Sequence, residues 1–113
     1  MNSDFPDASY EENLKTRTIH IPKYNVVLWD DNDHSYDYVI EMLVAVFRHT
    51  VEMSFKMAVE VDNCGRVVVD TTSKERAEFK RDQIHAYGSD WRIERCKGSM
   101  SATIEPAEKN NED

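Results

Sequence analysis

An α+β domain, with a three-stranded antiparallel sheet covered on one face by three helices in the order β-α-α-β-α-β, is the fold this sequence predicts. Three observations carry it. Tyr24–Trp29, Arg66–Thr72 and Ser99–Glu105 are rich in β-branched residues or alternate in polarity as strands do. The segments between them repeat apolar residues at helical spacing. The chain has only three Gly and three Pro, which argues against long flexible linkers. Three strands with interleaved helices are built most simply as one sheet under one layer of helices.

Each element has its own signal. Pro22 marks the start of the core, and the Val-rich run Tyr24–Trp29 suits a well-buried strand. The first helix is expected from about Ser35 to about His49, with Tyr36, Val39, Ile40, Leu43, Val46 and Phe47 on its inner face. Thr50 is a good N-cap for a second helix over Val51 to Asp62, whose apolar surface is Phe55, Ala58, Val59 and Val61, with Gly65 as its stop. RVVVDTT (Arg66–Thr72) is the second strand. Thr72 and Glu75 have the spacing of a capping box, which opens a third helix to about Tyr87 with Ala77, Ile84 and Tyr87 inward. This helix is weakly amphipathic, which leaves its exposed side for a partner. Gly88 to Gly98 is an irregular connection; its Trp91 covers the core or extends a binding edge. SMSATIE forms the last strand, ended by Pro106.

With 113 residues the chain is one domain. Residues 1–21 lack a sustained period and read as a flexible arm, residues 22–108 as the folded core, and residues 109–113 as a disordered tail. The formal charge is −8, from 22 acidic and 14 basic side chains. That balance disfavours nucleic acid and anionic membranes, both of which ask for clustered Lys and Arg, and favours basic or amine-bearing partners. No signal peptide or long apolar span is visible, so a cytoplasmic location is expected. Nothing in the sequence pairs Cys64 with Cys96. A reactive cysteine needs a base beside it, and the spacing shows none; Cys64, just before Gly65, reads as a packing residue.

The most informative stretch is Tyr24 to Glu41, YNVVLWDDNDHSYDYVIE. It gathers Asp30, Asp31, Asn32, Asp33 and His34 where a strand gives way to a helix, and such a rim of acceptors suits a small cation or a protonated amine. An EF-hand reading from Asp30 places Asn32 and Glu41 at ligand positions, but Ser35 stands where that loop needs Gly and the flanking element is a strand. One His without a second His or Cys makes a poor zinc site. Acid–base hydrolysis lacks any visible nucleophile–base pair. On composition alone, DDNDH is a solvated turn with Ser35 or His34 capping the helix.

The stretch PKYNVVLWDDNDHSYDYVIEMLVAVF resembles the start of the ClpS family, adaptors that deliver N-degron substrates to a Clp AAA+ protease. That family shows Tyr-x-Val-x-Leu-x-Asn-Asp-Asp-x-Thr followed by a helix ending in Phe. Later landmarks follow in order: Gly65 after the second helix, a helix start at Thr72–Glu75, Ala77-Glu78 with Lys80 similar to the family's Ala-Glu-x-x-Lys, and SATIEPAE similar to its last strand. The similarity spans about residues 22–108.

The resemblance implies an α/β adaptor, not an enzyme, that needs no cofactor. It would act as a monomer with two kinds of partner: N-degron-bearing proteins and the N-terminal domain of a Clp AAA+ unfoldase. Its pocket would grip a first residue such as Leu, Phe, Tyr or Trp while a polar rim reads the α-amino group. By matched position, Asp31 is the central pocket Asp and the expected amine ligand. Asp30 stands where Asn is usual and Asn32 where Asp is usual. His34 replaces a Thr, Tyr36 a gatekeeping Met and Ala58 another pocket Met. Val61 matches a wall residue, and Met100 falls where a Leu lines the cavity. Asp62 replaces the His that meets the amine, which adds negative charge and implies an altered side-chain preference. Glu75, Glu78 and Lys80 resemble the unfoldase-facing positions, and the arm would hang near the unfoldase pore. Two rivals stand beside this reading: a ClpS-fold regulator that docks the unfoldase without binding N-degrons, and a small metal-dependent hydrolase using Asp30, Asp31, Asp33 and His34.

Overall fold

A computed structural model of the chain describes residues 21–94, 96 and 98–107; the rest of the expected arm and the tail lie outside the described residues. The elements run β1 (Tyr24–Trp29), α1 (Tyr36–Phe47), α2 (Val51–Cys64), β2 (Arg66–Thr72), α3 (Lys74–Ala86) and β3 (Ala102–Pro106). The order is the β-α-α-β-α-β expected. β1 is the central strand, antiparallel to β2 on one side and β3 on the other. That is why Val26, Val27 and Leu28 are all buried: a central strand is covered on both edges as well as by the helices.

Val26, Leu28, Val67, Val69 and Ala102 face the helices and join Val39, Met42, Leu43, Ala58, Val61, Ala77 and Ile84 in one core. Burying such side chains is the main stabilising term, roughly 1.5–3 kcal/mol each. The opposite face of the sheet carries Trp29, Val68 and Thr103, all exposed. The pairing of β1 with β2 shifts between Val26 and Val27, a bulge that leaves Val69 extra. The Val69 carbonyl lies 2.8 Å from His49 Nε2, so a side chain supplies the partner there.

Five details differ from the sequence expectation. Tyr36 is exposed, and the buried positions of α1 include Tyr38 and Met42. Phe55 is exposed too, and Ser54 takes an inward position on α2. The third helix is capped by Ser73, whose side chain accepts the Arg76 N–H, and not by Thr72, which pairs with Tyr24 as the last residue of β2. The last strand begins at Ala102, later than Ser99, after the Ser101 carbonyl has accepted the Trp29 N–H. Tyr87 is more exposed than an inward residue, although its ring meets Tyr38 edge-on at 5.5 Å. Among the described residues no helix is long and apolar enough to cross a membrane.

Candidate functional site

The turn after β1 is positioned from both ends. The Asp30 N–H donates to the Gly65 carbonyl at 3.0 Å, which ties the end of β1 to the end of α2. Gly65 closes α2 at φ 88°, a left-handed conformation that disfavours side-chain-bearing residues, and its own N–H returns to Val61. Asp30 therefore lies beside Asp62, in the last turn of α2. At the other end Ser35 caps α1 by accepting the Tyr38 N–H at 3.1 Å.

Asp90, in the connection before β3, completes this cap. It is 1 % exposed, and its Oδ2 accepts both the N–H and the hydroxyl of Ser35 at 2.7 Å. Its Oδ1 accepts the Arg92 N–H at 3.0 Å and Nη1 at 3.2 Å. Burial opposes ionisation of this carboxyl, but the donors from Ser35 and Arg92 outweigh it and hold the pKa at about 2. Arg92 is anchored in turn by Glu41 at 2.5 Å. Trp91 does not cover the core; it is 80 % exposed, with the Arg92 guanidinium 4.7 Å over its ring.

Between these anchors, Asp31 and His34 lock together. The Asp31 carboxylate accepts the Asp33 N–H at 2.9 Å and faces His34 Nδ1 at 2.8 and 3.0 Å. The His34 side chain is 4 % exposed; its Nε2 lies 2.8 Å from the Gly98 carbonyl and its ring stacks at a tilt on Tyr38. The Asp31 side chain stays 33 % exposed. A carboxylate offers about four acceptor sites, so its open edge can still take another donor.

Asp30, Asp31, His34, Tyr36, Val39, Ala58, Val61, Asp62 and Met100 line one hollow, with about 290 Å³ of empty space open to solvent on one side. Val39, Ala58, Val61 and Met100 make its apolar wall. The carboxyls of Asp30, Asp31 and Asp62 stand at its rim. The Tyr36 hydroxyl donates to Asp62 at 2.7 Å, joining α1 to α2 at the hollow, and Phe55 meets the Tyr36 ring edge-on. That bond pushes the Tyr36 pKa up from its usual 10.0. Asp30 is pushed up from 3.8, first by burial and then by the negative charge of Asp62. An acidic rim above an apolar wall suits one small group with a cationic head and an apolar tail.

All the residues expected to bind an N-terminus lie around this hollow except Asn32, which is exposed and outside its lining. Val39 joins the lining although its spacing pointed only to the core. Asp90 and Cys96 gave no signal of their roles, because their partners lie 55 and 62 residues away. The cysteines also correct the sequence reading. Both are free, Cys64 is exposed and is not a packing residue, and Cys96 Sγ does have a base beside it, 3.2 Å from His34 Nε2. Among the described residues no group of three or more His, Cys, Asp and Glu is arranged to hold a metal ion.

On α3, Glu75 is exposed and Glu78 half-buried. Lys80 has work within the fold: its Nζ donates to the Val46 carbonyl at 2.6 Å, at the end of α1, and lies over the Phe47 ring. Burial, with Arg76 nearby, lowers its pKa from 10.5.

Three comparisons with known proteins bear on this geometry. The family model described as ATP-dependent Clp protease adaptor protein ClpS matches residues 20–91. The ATP-dependent Clp protease adapter protein ClpS of Vibrio atlanticus (strain LGP32) is 31% identical over 85 residues, covering 75% of this chain and 80% of that protein. The structure of Agrobacterium tumefaciens ClpS2 bound to L-phenylalaninamide superposes with a TM-score of 0.68 over 78% of this chain and 100% of its own, at 23% identity, a likeness of fold.

Proposed function

The chain belongs to the ClpS family, the non-catalytic adaptors of the ATP-dependent Clp protease, and from that premise we propose that its hollow holds the free N-terminal residue of a substrate for delivery to the Clp unfoldase. The observation that carries this reading is the union of three carboxyls with an apolar wall in one hollow. A protonated α-amine has three donors and one charge; Asp31, fixed by His34 and Asp33, presents an open edge to it, and Asp30 and Asp62 add attraction. The first side chain then lies against Val39, Ala58, Val61 and Met100. Ala58 gives room there and Tyr36 takes some back, which shifts preference among large apolar residues. The ligand in the Agrobacterium structure, L-phenylalaninamide, is an aromatic amino-acid derivative with a free α-amine, the same chemistry.

Delivery follows from tethering, which raises the effective concentration of substrate at the unfoldase. We assign docking to α3, with Glu75 and Glu78 offered to the N-terminal domain of the unfoldase and Lys80 holding the helix against α1. The protein acts in this scheme as a cytoplasmic monomer. One observation favours the rival regulator: the Tyr36 hydroxyl already donates to Asp62, so that rim carboxylate is partly engaged within the protein.

Calorimetry with peptides that differ only in their first residue, each free and acetylated, separates the two readings. Free Leu, Phe, Tyr or Trp peptides should bind, their acetylated forms at least tenfold more weakly, and Asp31→Ala should cost the free peptides at least tenfold, about 1.4 kcal/mol. Equal affinity for free and acetylated peptides ends the N-terminus reading and leaves the regulator.

A further inference from the structure

At the edge of the hollow, three side chains from two separate parts of the sequence form a chain of contacts. Cys96 Sγ lies 3.2 Å from His34 Nε2, and His34 Nδ1 lies 2.8 Å from the Asp31 carboxylate. This is the arrangement of an activated nucleophile: a thiol, a base within proton-transfer reach, and a carboxylate that fixes the ring. Cys96 Sγ makes two further polar contacts. The Asp90 N–H donates to Sγ at 3.1 Å. The thiol can donate to the Gly98 carbonyl at 3.3 Å, and that carbonyl also faces Nε2 at 2.8 Å. Cys96 is half-buried, whereas Cys64, at the end of α2, is exposed.

We propose that Cys96 is a modification site, a thiol activated by His34 and aligned by Asp31, which reacts with hydrogen peroxide to give a sulfenic acid. The balance closes with peroxide as the oxidant. His34 takes the thiol proton, and Sγ attacks one peroxide oxygen. The S–O bond forms as the O–O bond breaks, and sulfur loses the two electrons that peroxide gains. The departing hydroxide takes the proton from His34 and leaves as water. The new oxygen lies against His34, so oxidation is transmitted to the wall and rim of the hollow through residues that already line it. His34 acts as base and Asp31 as a positioning residue. This inference does not depend on what the hollow binds.

Alkylation of the full chain by iodoacetamide at pH 7, followed by Glu-specific digestion and mass spectrometry, gives the rates at Cys96 and Cys64 in one sample. Cys96 should react at least tenfold faster despite its lower exposure. His34→Gln should bring it to or below the Cys64 rate and leave Cys64 unchanged. The pH profile of the Cys96 rate should change in His34→Gln, while that of Cys64 stays as in wild type. One equivalent of peroxide should then add a single oxygen to Cys96 before Cys64. A Cys64 rate equal to or above that of Cys96 overturns the proposal, as does a Cys96 rate indifferent to His34→Gln. Should circular dichroism show that His34→Gln has unfolded, Asp31→Asn decides: a several-fold slower Cys96 supports the proposal, and an unchanged rate overturns it.

Discussion

Asp30, at the mouth of the hollow, and Asp90, at the N-terminus of α1, carry the same carboxyl pushed in opposite directions. Asp90 is the more deeply buried, yet its pKa falls to about 2, because Ser35 and Arg92 aim four donors at its two oxygens at a helix start. Asp30 is exposed, yet its pKa rises, because what lies beside it is partial burial and a second carboxylate at Asp62. Depth does not decide the charge state; the supply of donors does. A fully supplied acid is part of the scaffold. An undersupplied one is left wanting a cation, and the proposed binding of an amine at the hollow draws on that contrast.

The largest effect is expected at the supplied acid. Asp90→Asn puts amide hydrogens where donors already point, and should cost about 3 kcal/mol in urea unfolding. The wild-type protein should show the same contact through pH. The folded pKa of Asp90 lies below the ordinary 3.8, so its contribution is full above 3.8 and is lost as pH falls toward 2, about 2 kcal/mol in all. An acid limb that is the same in Asp90→Asn and wild type would remove Asp90 from the account.

Asp62→Asn should act the opposite way on the fold. Relief of repulsion with Asp30 should stabilise it by a few tenths of a kcal/mol, the scale of exposed charge pairs, while free-amine peptides bind a few-fold more weakly. Binding should also weaken in acid as Asp30 gains its proton at a pH above 3.8, and Asp62→Asn should move that loss to lower pH. If stability and affinity fall together, the rim is structural and the contrast with Asp90 fails. The smallest effect is expected from Tyr36→Phe, which removes the hydroxyl bonded to Asp62 and leaves the ring. Stopped-flow binding should show a modestly faster association with little change in stability.

Much of the fold was legible because local rules and tertiary packing agreed. Thr50 caps α2 and Gly65 ends it as their chemistry requires, and the strand Arg66–Thr72 has the same bounds in sequence and structure. The misses occur where tertiary structure chose between near-equal local options. Thr72 and Ser73 are both capping residues, and pairing with Tyr24 claims Thr72 for the sheet. Tyr36 and Tyr38 are both aromatics at the start of α1, and Tyr38 is the one buried, with its hydroxyl donating to the Gly88 carbonyl. Burial drives the Tyr38 pKa up to about 12, so it stays a donor. The acidic turn was legible as a rim of acceptors, and the family resemblance brought Ala58, Val61, Asp62 and Met100 to it. The Asp90 cap and the Cys96–His34 contact were not, since the irregular connection that carries them has no period to read.

Gly65 touches no part of the hollow with a side chain, yet its peptide oxygen holds Asp30 and its left-handed turn sets where α2 stops and Asp62 stands. The distance between two acids of the rim is thus written in backbone and not in side chains. The lining can change one residue at a time without altering that spacing, because the gauge between the two acids is kept by a residue with no side chain in the hollow.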